Sequence, residues 1–251
     1  MTEAQTLDAV RAAAQPIEAI GALFMLHPET FAGSAANGYQ NPFAGYFAGR
    51  GGVLGDADAD TVNSVFGIFE PNMAGALWAE GIAVHGAAGG AARYAEQAAD
   101  FGRKHLAGAE GLERIAELGE RVIAAAPTQG LPLFAGWKRM PLPEDAPGRA
   151  MHVLVVLREL RGSVHMAALA MSGLSPVEAH LLNKGEQYCE MFGWPKPYPD
   201  AEAKRADKAA AEDATDRRMT QIVGAALSGE EAAELARLSA AALQVANASA
   251  S

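Results

Sequence analysis

The most informative part of the sequence is MHVLVVLRELRGSVHMAALAMSGLSPVEAHLL, residues 151–182. Its first half is apolar on almost every side, which is typical of a helix buried in the middle of a domain. Gly173 predicts the end of that helix, because glycine readily takes the left-handed conformation of a helix C-terminus. Ser175, Pro176 and Glu178 then predict a second helix, since they are an N-cap, a first-turn proline and the acid of a capping box. The stretch therefore predicts two helices joined by a tight turn.

A polar stripe crosses the first of these helices. Arg158, Arg161 and His165 are three and four residues apart, so they share one helix face. An unpaired buried charge is expensive, so these arginines need partners. Glu159 is adjacent to Arg158 but points to another face of a helix, so we expect the partner to come from elsewhere. The candidates are a ligand carboxylate or phosphate or, as the commoner case for any one arginine, a carboxylate of another helix such as Glu70, Glu178 or Glu186.

The composition favours helices. Of 251 residues, 50% are hydrophobic and 7% are aromatic, and alanine and glycine supply much of the apolar share. A β-sandwich would use more β-branched and aromatic residues. We therefore predict a mostly α protein that is long enough for one large or two small domains.

Charge and cysteine content exclude several classes of protein. The net charge is −10 and the basic residues form no strong cluster, so nucleic acid is not an expected partner. The single cysteine, Cys189, allows no intrachain disulfide and no multi-cysteine metal site. The first residues carry no basic and apolar signal, and no uninterrupted apolar run approaches about 18 residues. We therefore expect no membrane span and a cytoplasmic protein.

The chain order predicts two helical halves. Residues 43–69 and 153–182 share a loose outline, because each consists of a helix, a glycine turn and a capped helix. A helix, a turn and a second helix are also the core of a helix-turn-helix unit. We predict two winged-helix-like halves packed together, residues 1–126 and 150–251, joined by a Pro-rich arm at 127–149.

The arm differs from both halves in composition. Its density of proline and glycine predicts no regular element between residues 127 and 147. It also holds large apolar side chains such as Trp137, so we expect the arm to pack across a helical surface or to wall a pocket. Further on, residues 200–216 consist mainly of alanine and charged residues, which predicts an exposed helix.

Several short motifs carry a resemblance to a known family. They are Tyr46-Phe47-Ala48-Gly49-Arg50, Val53-Leu54-Gly55, Phe66 with Phe69-x-Pro71, and Leu157-Arg158-Glu159-x-Arg161-Gly162-x-x-His165 with Gly173-Leu174 and Glu178-Ala179 after it. Together they resemble the actinobacterial SalK-type helix-turn-helix family. The resemblance implies paired winged-helix units of the kind found in MarR-like regulators. Some members stand beside natural-product genes and the family has no settled activity, so the resemblance implies more about fold than about function.

The chain departs from this family after Trp194. Relatives continue with a recognition-like helix and a wing with a Gly-rich turn. Here Pro195, Pro197 and Pro199 precede the alanine-rich stretch instead. We therefore expect the second half to be degenerate and its DNA binding to be lost.

A metal site is a further hypothesis. His165, His180 and Glu178 are ligand types that zinc or iron uses, and His152 and Glu159 lie in the same stretch. The chain has no HExxH pair, and His165 and His180 belong to different predicted helices. A hydrogen-bonded core histidine is the commoner role for such residues.

We predict a cytoplasmic small-molecule-binding protein derived from a winged-helix regulator. Two alternatives remain open. One is a ligand-responsive transcriptional regulator; the other is an enzyme of specialised metabolism that uses the cleft between the halves, with His165 and Glu178 as acid and base. A homodimer is a further possibility, and no pattern identifies a cofactor. The predicted pocket residues are Tyr46, Arg50, Trp137, Arg158, Arg161, His165 and Trp194.

Overall fold

A computed structural model describes residues 3–250. Within that range it contains twelve α-helices, two short 3-10 turns and no strand, which confirms the predicted all-α class. No β-hairpin wing is therefore present in the described part of the chain. The helices are α1 Glu3–Leu26, α2 Pro28–Ala36, α3 Pro42–Gly51, α4 Ala59–Phe66, α5 Pro71–His105, α6 Leu112–Ala125, α7 Pro132–Trp137, α8 Ala146–Ser172, α9 Pro176–Asn183, α10 Glu186–Met191, α11 Arg205–Ala226 and α12 Gly229–Ser249.

Helix α8 lies at the centre, as its apolar sequence predicts. Its residues 150–157 are all buried, and α1, α5, α6, α7 and α11 pack around it. It ends at Gly173, whose φ of 76° is left-handed. Ser175 and Glu178 then exchange both hydrogen bonds of a capping box at the start of α9, with Pro176 in its first turn. The predicted pair of helices and the turn between them are confirmed.

Helices α3 and α5 pack closely because glycines in α5 and just after α3 lie against the backbone of the other helix. A Cβ atom on Gly52, just after α3, would lie 2.1 Å from the carbonyl oxygen of Ala87 in α5. Helix α5 changes direction at Gly86, which has a non-helical φ of 68°. This contact and this kink hold α3 against the middle of α5, where Arg50 at the end of α3 can reach α8.

The Pro-rich arm is more regular than its sequence predicts. The prediction of no regular element is wrong, because α7 spans Pro132–Trp137 and α8 begins at Ala146. Both helices place a proline in the first turn, where its missing N–H costs nothing. The predicted packing is confirmed, since Leu133, Phe134 and Trp137 are buried in the core beside α8.

The first and last helices pack against each other. Helix α1 packs along α12 and also contacts α8 and α11. By length and composition, residues Ala4–Leu26 of α1 could cross a membrane, and a core helix passes the same test. Ile17, Ile20 and Phe24 are buried among the other helices, so α1 has the burial of a core helix. The N-terminal helix therefore lies with the C-terminal ones, and the division into two halves stays a prediction.

Helix α11 is less exposed than its alanine and charge content predicts. Ala211, Thr215 and Asp216 are buried. This side of α11 packs against α8 and α1. Small alanine side chains let the helix axes approach, so α11 becomes a wall of the space beside α8.

Candidate functional site

A cavity of about 220 Å³ lies beside α8. The spacing of α8 places Leu157, Arg158, Arg161, Gly162 and His165 along it. A Cβ atom on Gly162 would meet nothing within 4 Å, so this residue borders open space. The remaining walls are mostly apolar and come from α1, α6, α11 and α12, including Val10, Ile17, Val122, Met219, Val223 and Leu235.

The inner end of the cavity is a buried ion cluster around Glu159. Arg50 binds this carboxylate through two parallel hydrogen bonds, from Nε to Oε1 and from Nη2 to Oε2, both 2.9 Å long. Arg158 donates from Nη1 to the same Oε1 at 3.0 Å. Burial alone would raise the pKa of Glu159, but the two guanidinium groups outweigh it and hold that pKa below its usual value. Glu159 is therefore an anion shared by two cations.

Aromatic residues position Arg50 in this cluster. Its Nη1 donates to the hydroxyl of Tyr46 at 2.8 Å, and its guanidinium carbon lies 4.5 Å from the ring centre of Phe66. The indole Nε1 of Trp137 donates to the backbone carbonyl of Arg50 at 3.1 Å. Tyr46 and Trp137 do not line the cavity. Both instead contact Arg50, and their predicted role in ligand binding stays a prediction.

The predicted partner of Arg158 is also wrong. Its side chain binds Glu159, the next residue, rather than a carboxylate of another helix. The long side chain reaches that carboxylate by lying across α1, where a Cβ atom on Gly21 would be 2.3 Å from the Cδ of Arg158. The Nε of Arg158 is buried and has no acceptor among the described residues. Arg158 thus makes a single hydrogen bond and lines the cavity with 23% of its side chain exposed.

The outer end of the cavity carries a second, looser cluster. Arg161 donates from Nη2 to Glu212 at 3.3 Å and to Asp216 at 3.4 Å. Asp216 also binds Arg11 at 2.9 Å, and Glu212 binds Lys208. Asp213 also binds Arg11. The three cations Arg161, Arg11 and Lys208 are therefore matched by the three acids Glu212, Asp216 and Asp213. The outer end is therefore close to electrically neutral.

His165 completes the outer end. Thr215 donates its hydroxyl proton to the carbonyl of Ala211 at 2.8 Å, so its oxygen is left to accept a proton from Nδ1 of His165 at 3.1 Å. Burial lowers the pKa of His165, which favours the neutral ring. A neutral ring protonated on Nδ1 has its lone pair on Nε2, which lies 3.6 Å from Glu212. The cavity wall thus includes an imidazole that can accept a proton or a hydrogen bond.

The other predicted site residues lie outside the cavity. Trp194 and His180 both donate to the carbonyl of Ile68, at 2.9 Å and 2.8 Å, and Ile68 itself lines the cavity. Glu178 caps α9 and binds Lys204, and these contacts lower its pKa to about 2. The structure does not bring His165, His180 and Glu178 together as metal ligands, nor His165 and Glu178 as an acid and base pair.

A different group has metal-ligand spacing among residues 3–250. Ligand atoms of His27, Glu29 and His105 lie within 4.8 Å of one another. His27 and Glu29 lie at the start of α2 and His105 lies at the end of α5, so no single short motif contains all three. Each already has protein partners: Glu29 binds Lys104 and His105, and His105 contacts Ser249 at 3.0 Å.

The sequence predicts the arginines and the histidine of the cavity wall but not its apolar walls. Arg158, Arg161 and His165 line it, as their shared helix face predicts, and Arg50 joins them from α3. The α1, α11 and α12 walls carry no local signal, because their apolar residues look like any other core positions. Gly162, which lies on the same face as Arg158 and His165, borders the open space.

The comparisons with known proteins give one match. Residues 10–205 match a family model described as a helix-turn-helix family. No curated protein matches the chain, and no solved structure does.

Proposed function

The chain belongs to a helix-turn-helix family, and from this premise we propose that it is a cytoplasmic small-molecule-binding protein derived from a DNA-binding regulator. The observation that carries the proposal is the cavity beside α8. It is mostly apolar, it has a few convergent polar groups, and the first and last helices, α1 and α12, help to enclose it. These are the properties of small-molecule sites in proteins.

The charges on the short helices support a loss of DNA binding. Proteins hold DNA by neutralising phosphates with lysine and arginine. Helices α4, α9 and α10 contain neither residue, and the single arginine of α3, Arg50, is buried in the ion pair with Glu159. A working regulator would instead show salt-dependent affinity for DNA. Absence of any shift of duplex DNA at low salt is the result we expect.

Ligand binding is tested with three probes of one shape. They are 4-phenylbutan-1-ol, 4-phenylbutyrate and 4-phenylbutylamine, measured by isothermal titration calorimetry and by the melting temperature of the intact chain. We expect saturable binding of at least one probe to the wild type. Gly162→Leu should abolish it, because the new side chain extends into open space. Gly224→Leu is the matched control, since Gly224 is an exposed glycine of α11 that does not line the cavity.

Two results would overturn the proposal. One is that none of the three probes binds the wild type. The other is that Gly162→Leu binds them as well as Gly224→Leu does while both variants keep the helical circular dichroism spectrum.

An enzyme that uses the same cavity is the second candidate. It is favoured by the Nε2 lone pair of His165 in the cavity wall, which can serve as a base. Glu178, the predicted partner, lies elsewhere, so Glu212 is the nearest carboxylate to that imidazole. Conversion of a bound probe or natural ligand by the wild type, lost in His165→Gln with binding intact, would establish this candidate.

The narrower origin and the assembly state remain proposals. We propose a SalK-type, actinobacterial origin by duplication, with residues 43–69 and 153–182 as the repeated units. A homodimer would cover exposed apolar side chains such as Met171, which is 82% exposed. Light scattering on the purified chain decides between monomer and dimer.

A further inference from the structure

We propose that the ligand is a monoanion, a carboxylate on a compact apolar body, and that its carboxylate binds Arg158. The proposal rests on the proposed function, since it names the class of molecule that the cavity takes. Three properties carry it: the charge balance at the inner end, the unused donor capacity of Arg158, and the volume of the cavity.

The charge balance leaves one positive charge at the inner end. Arg50 and Arg158 share a single carboxylate, that of Glu159, and Arg50 occupies both of its oxygens. Glu159 is fully buried, so solvent does not make up the difference on its side. An ionised group in a low-dielectric site is expensive unless a counter-charge lies near it. The excess is one unit, which a single carboxylate on a ligand would neutralise.

Arg158 is the cation that can accept such a group. Arg50 already donates to Glu159 and Tyr46 and packs on Phe66, so its guanidinium is occupied. Arg158 makes one hydrogen bond, and its Nε, like that of Arg161, is buried without an acceptor within residues 3–250. The other end of its guanidinium borders the cavity, where its remaining N–H groups can donate to a ligand oxygen. A carboxylate suits a guanidinium especially well, because it can accept two parallel hydrogen bonds.

The outer end does not compete for the anion. Arg161 is shared between Glu212 and Asp216, and those acids already balance the cations around them. Glu18 also borders the cavity there, but its side chain is exposed and therefore hydrated. A ligand with its carboxylate inward would keep that group away from these three acids.

The volume limits the apolar part of the ligand. A cavity of about 150 Å³ is enough to hold benzene. The cavity here, at about 220 Å³, has room for one aromatic ring or a branched alkyl group together with a short chain. The apolar walls from α1 and α11, including Ile17 and Met219, match such a body.

The three probes of one shape also test the charge preference. We expect the carboxylate, 4-phenylbutyrate, to bind at least about tenfold more tightly than the neutral alcohol, which corresponds to one charge-assisted contact. The amine should bind most weakly of the three. Arg158→Gln should remove the preference for the carboxylate, so that the ratio of carboxylate affinity to alcohol affinity falls to about one. It keeps both hydrogen bonds between Arg50 and Glu159, so the fold should survive.

Arg161→Gln is the matched control, because it removes the same charge from the same helix face three residues away. It should keep the preference for the carboxylate. Benzylphosphonate at pH 8 serves as a dianionic probe and should bind more weakly than 4-phenylbutyrate.

The possible failures are distinguishable. If no probe binds, the proposed function itself is wrong. If the alcohol or the amine binds as well as the carboxylate, the cavity is a binding site but the ligand is not an anion. If Arg161→Gln loses the preference for the carboxylate and Arg158→Gln keeps it, the anion binds at the outer end of the cavity and the proposal is wrong. Tighter binding of benzylphosphonate would replace the monoanion with a dianion.

Discussion

The inner and outer ends of the cavity each pair an arginine of α8 with carboxylates, yet they are organised differently. At the inner end two arginines share Glu159, and the carboxylate is completely buried. At the outer end Arg161 faces two acids at longer distances, and one of them, Glu212, is 39% exposed. The inner cluster is tight and unbalanced, while the outer cluster is loose and balanced.

The two clusters differ in whether their charges affect mainly stability or mainly binding. Water screens an exposed cluster, so its geometry can be loose and its net charge small at little cost. A buried cluster depends on each partner, and removal of one leaves an uncompensated charge. The imbalance at the inner end is tolerable because Arg158 also borders the cavity. We therefore expect mutations to have large structural effects at the inner end and small ones at the outer end.

The largest expected effect follows removal of the shared carboxylate. Glu159→Gln leaves Arg50 and Arg158 side by side without a counter-charge, so the free energy of unfolding should fall by about 3–5 kcal/mol. Urea denaturation followed by circular dichroism measures it. The double variant Glu159→Leu with Arg50→Met removes both buried charges and should be the more stable of the two. If Glu159→Gln lowers the free energy of unfolding by less than about 1 kcal/mol, the inner cluster is hydrated and does not differ from the outer one.

A second prediction concerns the stability of the protein at acid pH. His152, also on α8, is buried beside Trp137, and burial lowers its pKa to about 4. The unfolded chain has the ordinary histidine pKa of about 6.5, so it binds a proton at a pH where the folded protein does not. This residue therefore lowers stability as the pH falls from 6.5 towards 4, and not above that window.

His152→Leu should reduce the loss of stability between pH 7 and pH 5 by roughly 2 kcal/mol. Urea denaturation of both proteins at the two pH values measures the difference. His165→Gln at the outer end should act in the same direction, because burial lowers the pKa of that imidazole too. Parallel stability curves for wild type and His152→Leu would show that His152 is protonated in the folded state.

The two ends also differ in how far the sequence predicts them. The α8 stripe, its glycine stop and the capping box of α9 follow from spacing within one stretch, and spacing along a helix is local information. The arginine on α3 and the walls from α1 and α12 depend on which helices pack together, which is set by the whole core. The structure pairs Arg158 with Glu159 because a long side chain can bend around its own helix. Residue spacing gives the face on which a side chain starts, not the point that its charged end reaches.

The outer end should lose little when its arginine is removed. Arg161→Gln should lower the free energy of unfolding by up to about 1 kcal/mol, the usual range for a partly exposed ion pair. The difference from wild type should shrink as salt is added, because salt screens exposed charges. Urea denaturation at low and high ionic strength measures it. A loss as large as that of Glu159→Gln would show that the outer cluster is as buried as the inner one, and the contrast between the two ends would not hold.

The smallest expected change in stability concerns two glycines, Gly162 and Gly21, that lie beside the arginines of α8. Gly162 faces open space within α8, so Gly162→Ala should raise the free energy of unfolding by about half a kcal/mol through better helix propensity. Gly21 in α1 would gain the same propensity, but its Cβ atom would collide with the side chain of Arg158. Gly21→Ala should therefore be destabilising, because Arg158 must leave its place beside Glu159. Thermal denaturation of the pair tests the sign of each change. Equal stabilisation by both would mean that Arg158 does not lie across α1, and the excess charge at the inner end would lose its fixed position.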